Sequence, residues 1–162
     1  FSENCKNGRK IAEGNKGVVV VAITTFAAID IGSYDLEMKI FEMSGKGGMK
    51  QVDDIRYRLD LGSDTYAEGK VSYEAVNELC GILKEFQNIM RSYKVSDYKA
   101  YGTSAVRETK NTKILLDQIR QRTGIRIDVL SNSEQRFMDY KSIASTPLTK
   151  LIEVLFIAHN TI

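Results

Sequence analysis

Between Thr25 and Leu61 three runs of strand character follow one another before any helical stripe begins. Thr25 to Ile31 is a short apolar run that reads as a buried strand. In the second run, Leu36, Met38 and Ile40 alternate with Glu37 and Lys39, and in the third Ile55, Tyr57, Leu59 and Leu61 alternate with Arg56, Arg58 and Asp60. Alternation of period two gives a strand one face for the core and one for water. The links are short, and Ser44-Gly45-Lys46-Gly47-Gly48 is a turn, so the three strands are expected to run antiparallel; a parallel pair would need a crossover of a dozen residues or more.

Beyond Leu61 the pattern changes to helices alternating with strands. Ser72 is placed to cap a helix in which Val76, Leu79, Cys80, Leu83, Phe86 and Met90 recur at three- and four-residue spacing. Gly81 within it costs about 1 kcal/mol relative to alanine, so it calls for a well-buried opposite face or a close helix contact. Tyr98 to Thr103 reads as a fourth strand. Asn111 caps a helix carrying Ile114, Leu115 and Ile119 that stops at Gly124, and Ile125, Ile127 and Val129 make a fifth strand. Ser131 to Ser133 caps a last helix with Phe137, Tyr140 and Ile143. The order β-β-β-α-β-α-β-α predicts an α/β chain with a mixed five-stranded sheet and helices on its faces.

Composition narrows the chemistry. With 162 residues, 43% apolar and 27% charged, the chain can bury one real core. Lys and Arg total 23 against 21 acids, so the net charge of +2 gives no broad basic face for a nucleic acid polymer. His159 is the sole histidine, too few for a Ser-His-Asp triad or a His-rich zinc site, and acid–base work falls to carboxylates. Cys80 lies on the helical stripe and Cys5 in an unpatterned leader, which argues against a disulfide framework. No apolar run is long enough to span a membrane, and Val18 to Ala22 is too short for a secretory signal, so a cytoplasmic protein with no membrane partner is expected.

Three segments carry candidate chemistry. Ala27 to Tyr34 ends a strand in Asp30 and turns through Gly32-Ser33, a layout in which backbone N–H groups can approach an anion. The same residues also fit a plain turn capped by Asp30. The second segment is Tyr101-Gly-Thr-Ser-Ala-Val-Arg-Glu-Thr-Lys-Asn111. Its Thr103 and Ser104 sit at the carboxyl end of a strand, where open α/β sheets gather ligands, and could bond phosphate or cap the next helical turn. Arg107 could hold a phosphate oxygen through a charge-assisted bond worth about 1.5–3 kcal/mol, or could pair with Glu108. The third segment is Glu134-Gln135-Arg136-Phe137.

Together with the order of elements, these segments resemble the N-terminal lobe of the exopolyphosphatase and guanosine pentaphosphate phosphohydrolase family, a branch of the actin-like ATPase superfamily. The likeness runs from about Phe26 to Ser145, with Thr103-Ser-Ala-Val-Arg-Glu108 its most specific part. It implies a ribonuclease-H-like (actin-like) lobe. It also implies that polyphosphate or guanosine pentaphosphate loses its terminal phosphate to metal-assisted attack by water. On this resemblance Asp30 orients a magnesium ion or its waters, and Gly32, Ser33, Thr103, Ser104 and Arg136 bind phosphate. Arg107 and Glu134 are the catalytic pair, with Glu134 the general base. That placement needs a preceding loop one residue shorter than in the relatives; without the gap Gln135 falls at the base position, and glutamine cannot accept the proton. Apart from any resemblance, Glu134 suits the positive end of a helix dipole.

The chain departs from the family after Gly32-Ser33, where Tyr34, Asp35 and Glu37 stand in place of Asn-Ser and a following arginine. Two extra acids repel a polyanion unless a metal binds them. Residues 1–22 are expected to be an extension outside the family, 23–145 the lobe, and 146–162 an apolar tail. The family's second lobe, with its Asp-x-Gly-Gly-Gly-Ser-like loop, is absent from this sequence, so a second lobe of the same fold or another copy of the chain is an expected partner. A noncatalytic polyphosphate- or nucleotide-sensing module is the alternative. An ATPase or sugar-kinase relative is a third reading, opposed by the Thr-Ser-Ala-Val-Arg-Glu segment.

Overall fold

The computed structural model describes residues 9–12, 19–44 and 48–145. A short strand β1 (Arg9–Ala12) pairs antiparallel with the start of β2 (Val19–Ile31), so part of the supposedly unpatterned leader joins the sheet. β2 then pairs with β3 (Asp35–Ser44), and β3 with β4 (Gly48–Arg58), both antiparallel as the alternation requires. The rest of the described chain is α1 (Gly62–Glu68), α2 (Tyr73–Ser92), β5 (Asp97–Gly102), α3 (Ser104–Glu108), α4 (Thr112–Thr123), β6 (Asp128–Val129) and α5 (Asn132–Ser145). β5 runs parallel to β2, and β6 parallel to β5, giving the mixed five-strand order β4-β3-β2-β5-β6.

The core forms where the two periodicities meet. Ala27, Ile29 and Ile31 of β2 and Leu36, Met38 and Ile40 of β3 are buried in one cluster with Val76, Leu79, Cys80, Leu83, Phe86 and Met90 of α2. α4 packs beside α2 and adds Leu115 and Ile119. The Phe86 ring meets Tyr57 of β4 at 5.7 Å. Ser72 caps α2 as its sequence suggests, its Oγ accepting from the Ala75 N–H at 3.2 Å. Gly124 ends α4 in the left-handed region with φ of 71°. Gly81 faces open space on the exposed side of α2, so no close helix contact explains it.

Four local features differ from the sequence expectation. The third strand begins at Gly48 and ends at Arg58, because Leu59 and Leu61 give their N–H groups to the carbonyls of Tyr34 and Ser33 and so leave the ladder. Asp60 then starts α1 by accepting from the Ser63 N–H and hydroxyl at 2.8 and 2.7 Å. Asn111 stands at the N-cap of α4 as expected but makes no side-chain cap bond; its Oδ1 instead accepts from Thr109 Oγ1 at 2.5 Å and from the Val71 N–H at 3.4 Å. The fifth strand shortens to two residues, although Ile125 and Ile127 are buried as expected. On α5, Phe137, Met138 and Tyr140 are exposed, and the side chain of Ile143 lies outside the described residues. The centre of the Ser44 to Gly48 turn and the apolar tail also lie outside them. Among the described residues no helix is long and apolar enough to cross a membrane.

Candidate functional site

The parallel strands finish together: Ile31 lies opposite Gly102, and Gly102 opposite Val129. Loops from three separate parts of the sequence therefore leave one edge of the sheet, carrying Ser33, Thr103-Ser104 and Ser131 to Arg136. An open cavity of about 360 Å³ lies there, lined by Tyr66, Ser104, Arg107, Glu108, Asn132, Gln135, Arg136 and Asp139.

Arg107 is the most firmly placed of these groups. Its Nη1 donates to the Leu130 carbonyl at 2.8 Å and to Gln135 Oε1 at 3.3 Å, while Nη2 stands 3.8 Å from Glu108. Its Nε is buried without a hydrogen-bond partner in the described structure, a costly state for a donor. Arg107 thus borders the cavity and pairs loosely with Glu108. Arg136, exposed on α5, also lines the cavity.

The two hydroxyl residues divide. Thr103 Oγ1 donates to the Ile31 carbonyl at 3.2 Å and tethers β5 to β2, neither capping α3 nor lining the cavity. Ser104 does line it, and its Oγ lies 3.0 Å from Ser33 Oγ. Ser33 is buried, bonded also to Tyr66 Oη at 3.0 Å, and its carbonyl accepts from Leu61 and Gly62. At Gly32 the chain closes on itself: the Gly32 N–H donates to the Asp35 carbonyl at 2.9 Å, and a Cβ there would meet Asp35 Oδ1 at 2.9 Å. A side chain at this position would require Asp35 to shift, so the turn favours glycine before any ligand is considered.

Asp30 stands between Glu37 of β3 and Tyr101 of β5. Burial, reinforced by the charges of Glu37, Asp35 and Asp139 and opposed by Lys39, lifts its carboxyl from 3.8 to about 7. Glu37 itself is pushed up by burial, but hydrogen bonds from Arg56 and Lys39 outweigh that and hold it below the usual range. Lys39 Nζ lies 3.1 Å from Glu37, so one of the two unexpected acids is already neutralised within the lobe. No cluster of three or more His, Cys, Asp or Glu suited to a metal occurs among the described residues. Asp30 is not among the residues that line the cavity.

Glu134 lies in a capping box. Its Oε2 accepts from the Ser131 N–H at 2.9 Å and the Ser131 hydroxyl at 2.7 Å, while Ser131 Oγ accepts from the Glu134 N–H at 3.2 Å. The Ser131 hydroxyl, followed by its N–H, holds the Glu134 carboxyl below the usual range. Glu134 is exposed and does not border the cavity, whereas Gln135 does. Tyr66 and Asp139 were not singled out from sequence. Tyr66 rides on the unanticipated α1, and Asp139 differs in no local pattern from any acid on a solvated helix.

The Ppx/GppA phosphatase family profile matches residues 40–154. The chain is 25% identical over 115 residues to exopolyphosphatase 1 of Mycobacterium leprae, covering 71% of this chain and 34% of that protein. It is 26% identical over 121 residues to the guanosine-5'-triphosphate,3'-diphosphate pyrophosphatase of Aliivibrio fischeri, covering 75% of this chain and 24% of the relative. The chain thus spans about a third of the first relative's length and a quarter of the second's. Among solved structures, the type II variant of the Aquifex aeolicus Ppx/GppA phosphatase superposes with a TM-score of 0.69 at 27% identity, covering 76% of this chain and 41% of that one. An exopolyphosphatase from Cytophaga hutchinsonii shares the fold with a TM-score of 0.70 at 22% identity, over 76% of this chain and 39% of the other. A profile match over most of the chain, on a sheet with the same actin-like topology, establishes that the chain belongs to the Ppx/GppA phosphatase family.

Proposed function

We propose that this chain is the N-terminal lobe of a phosphohydrolase that removes terminal phosphate from polyphosphate or guanosine pentaphosphate. The observation that carries the reading is Arg107, anchored to Leu130 and Gln135 and lining a cavity that Arg136 and Ser104 also line. Arg107 and Arg136 bind the anionic oxygens, and the turn at Gly32 and Ser33 sets the depth of the site. Thr103 acts by holding β5 against β2. Asp30 would hold magnesium, which when bound neutralises phosphate charge and favours the ionised carboxylate. The remaining contacts to the phosphate chain come from a second lobe or a second copy of the chain.

A noncatalytic polyphosphate- or nucleotide-sensing role is the second reading, favoured by one feature: Gln135 borders the cavity while Glu134 is tied to Ser131. For Glu134 to act as general base the capping box must open.

Isothermal titration of the 162-residue chain with inorganic tripolyphosphate, with and without magnesium, tests the anion site. Binding is expected to strengthen with magnesium and to weaken roughly ten- to hundredfold in Arg107→Gln, as for loss of one charge-assisted bond. Equal binding by wild type and Arg107→Gln would refute the site. Phosphate release at ordinary enzyme rates by this chain alone would refute the need for a second lobe.

A further inference from the structure

Ser33 joins Tyr66 and Ser104 into a chain of three hydroxyls, with both oxygen–oxygen distances 3.0 Å. The residues come from the turn after β2, from α1 and from the start of α3, so the chain links all three around the cavity. Each hydroxyl owns one proton, and the two hydrogen bonds consume two of the three. Ser33 is buried and has only these two side-chain bonds among the described residues, so its proton is satisfied by pointing to one of its neighbours. The spare proton therefore sits at one end, on Tyr66 or on Ser104, and both ends line the cavity.

The Tyr66 ring is fixed as well as its hydroxyl. A Cβ at Gly62 would lie 3.1 Å from Tyr66 Cε2 and 3.2 Å from Ser33 Cβ, so the glycine gives the ring room beside Ser33. Half of the residue stays exposed. A phosphate oxygen in the cavity can only accept, and Arg107 lines the same cavity.

We propose that Tyr66, Ser33 and Ser104 form a hydroxyl relay that donates one hydrogen bond to a phosphoanhydride oxygen, making Tyr66 a ligand-binding residue of the cleft. This rests on the phosphate-binding reading of the cavity. If the ligand accepts the hydrogen bond from Tyr66, the polarity runs Ser104 to Ser33 to Tyr66; if it accepts from Ser104, the polarity reverses. Either way the two ends act as one donor, because a hydroxyl chain polarises cooperatively. No covalent change is involved.

The test is a double-mutant cycle on the full 162-residue chain, titrated calorimetrically with inorganic tripolyphosphate and magnesium. Tyr66→Phe keeps the ring against Gly62 and removes only the hydroxyl; Ser104→Ala removes the other end. Each is expected to weaken binding about two- to tenfold, the range for one neutral hydrogen bond. The double variant should weaken it by less than the product of the two, although Tyr66 and Ser104 share no direct bond. Melting curves of Tyr66→Phe without ligand should show no more than the small loss of one neutral hydrogen bond to Ser33, which separates a ligand contact from a packing role. Weakened binding in Arg107→Gln beside unchanged binding in Tyr66→Phe overturns the relay and leaves the phosphate site standing, as do losses that multiply independently. Absence of tripolyphosphate binding by the wild-type chain overturns both.

Discussion

Arg107 and Gln135, 28 residues apart, meet where Nη1 of the arginine donates to Oε1 of the glutamine at 3.3 Å. With the Leu130 carbonyl on the same nitrogen at 2.8 Å, the guanidinium is tied to the end of β6 and the first turn of α5 at once. Gln135→Ala should leave Arg107 held on one side only and weaken tripolyphosphate binding several-fold, less than the full value of a hydrogen bond to a charged group because Gln135 acts through Arg107. Calorimetry on the variant checks this. Unchanged affinity would mean that the Leu130 carbonyl alone positions the guanidinium.

Asp30 makes stability fall as pH rises. Its carboxyl titrates near 7 in the folded chain against an ordinary 3.8, so between those values the folded state holds more protons than the unfolded one. Each pH unit across that window removes on the order of 1.4 kcal/mol at most. Asp30→Asn should therefore match wild type near pH 4 and become more stable by a few kcal/mol above pH 7 in urea titrations with EDTA. A variant less stable than wild type at every pH would show instead that the carboxylate makes a bond the fold requires.

Much of this was readable in the sequence because it depends on repetition. Leu36, Met38 and Ile40 against Val76, Leu79 and Leu83 announce a strand and a helix that share a core, and they do share it. Thr103-Ser-Ala-Val-Arg-Glu108 located the cavity, since a short apolar strand before it fixes where its carboxyl end lies. Less legible were features made by a single turn. α1 has one buried face of two residues, Gly62 and Thr65, too little to show a period, and so Tyr66 stayed hidden. The choice between Glu134 and Gln135 was equally out of reach, because both suit the start of a helix and only the geometry shows which one Ser131 engages.

Gly102 tests how tightly the cavity's floor is built. A Cβ on this residue would approach Val106 Cβ and Cγ1 at 2.9 Å, and Val106 is fully buried in α3. Gly102→Ala should lower stability by about 1–3 kcal/mol, as overpacking does, and displace α3 with Ser104 and Arg107 on it. Denaturant titration measures the first effect and tripolyphosphate calorimetry the second. Full stability in the alanine variant would show that α3 can shift without cost.

Glu134 separates a helix-capping role from a chemical one. Its carboxylate accepts two bonds from Ser131, of which the hydroxyl bond is 2.7 Å, and these favour the ionised form. A carboxyl held below its usual range contributes stability above its ordinary pKa, and that contribution disappears as pH falls through the lowered value. Glu134→Ala should therefore melt earlier than wild type at pH 7, with the gap narrowing in acid, while Glu134→Gln keeps an acceptor for Ser131 and sits between them. Tripolyphosphate affinity at pH 7 should be the same in all three, because Glu134 lies outside the cavity lining. In a two-lobed protein carrying this lobe the same pair of variants decides the chemistry. If Glu134 opens from Ser131 to accept a proton from water, Glu134→Gln lowers kcat by on the order of a hundredfold or more with KM little changed. If the capping box stays closed, kcat is untouched, and the proton acceptor must be sought among the acids that do face the cavity, Glu108 and Asp139.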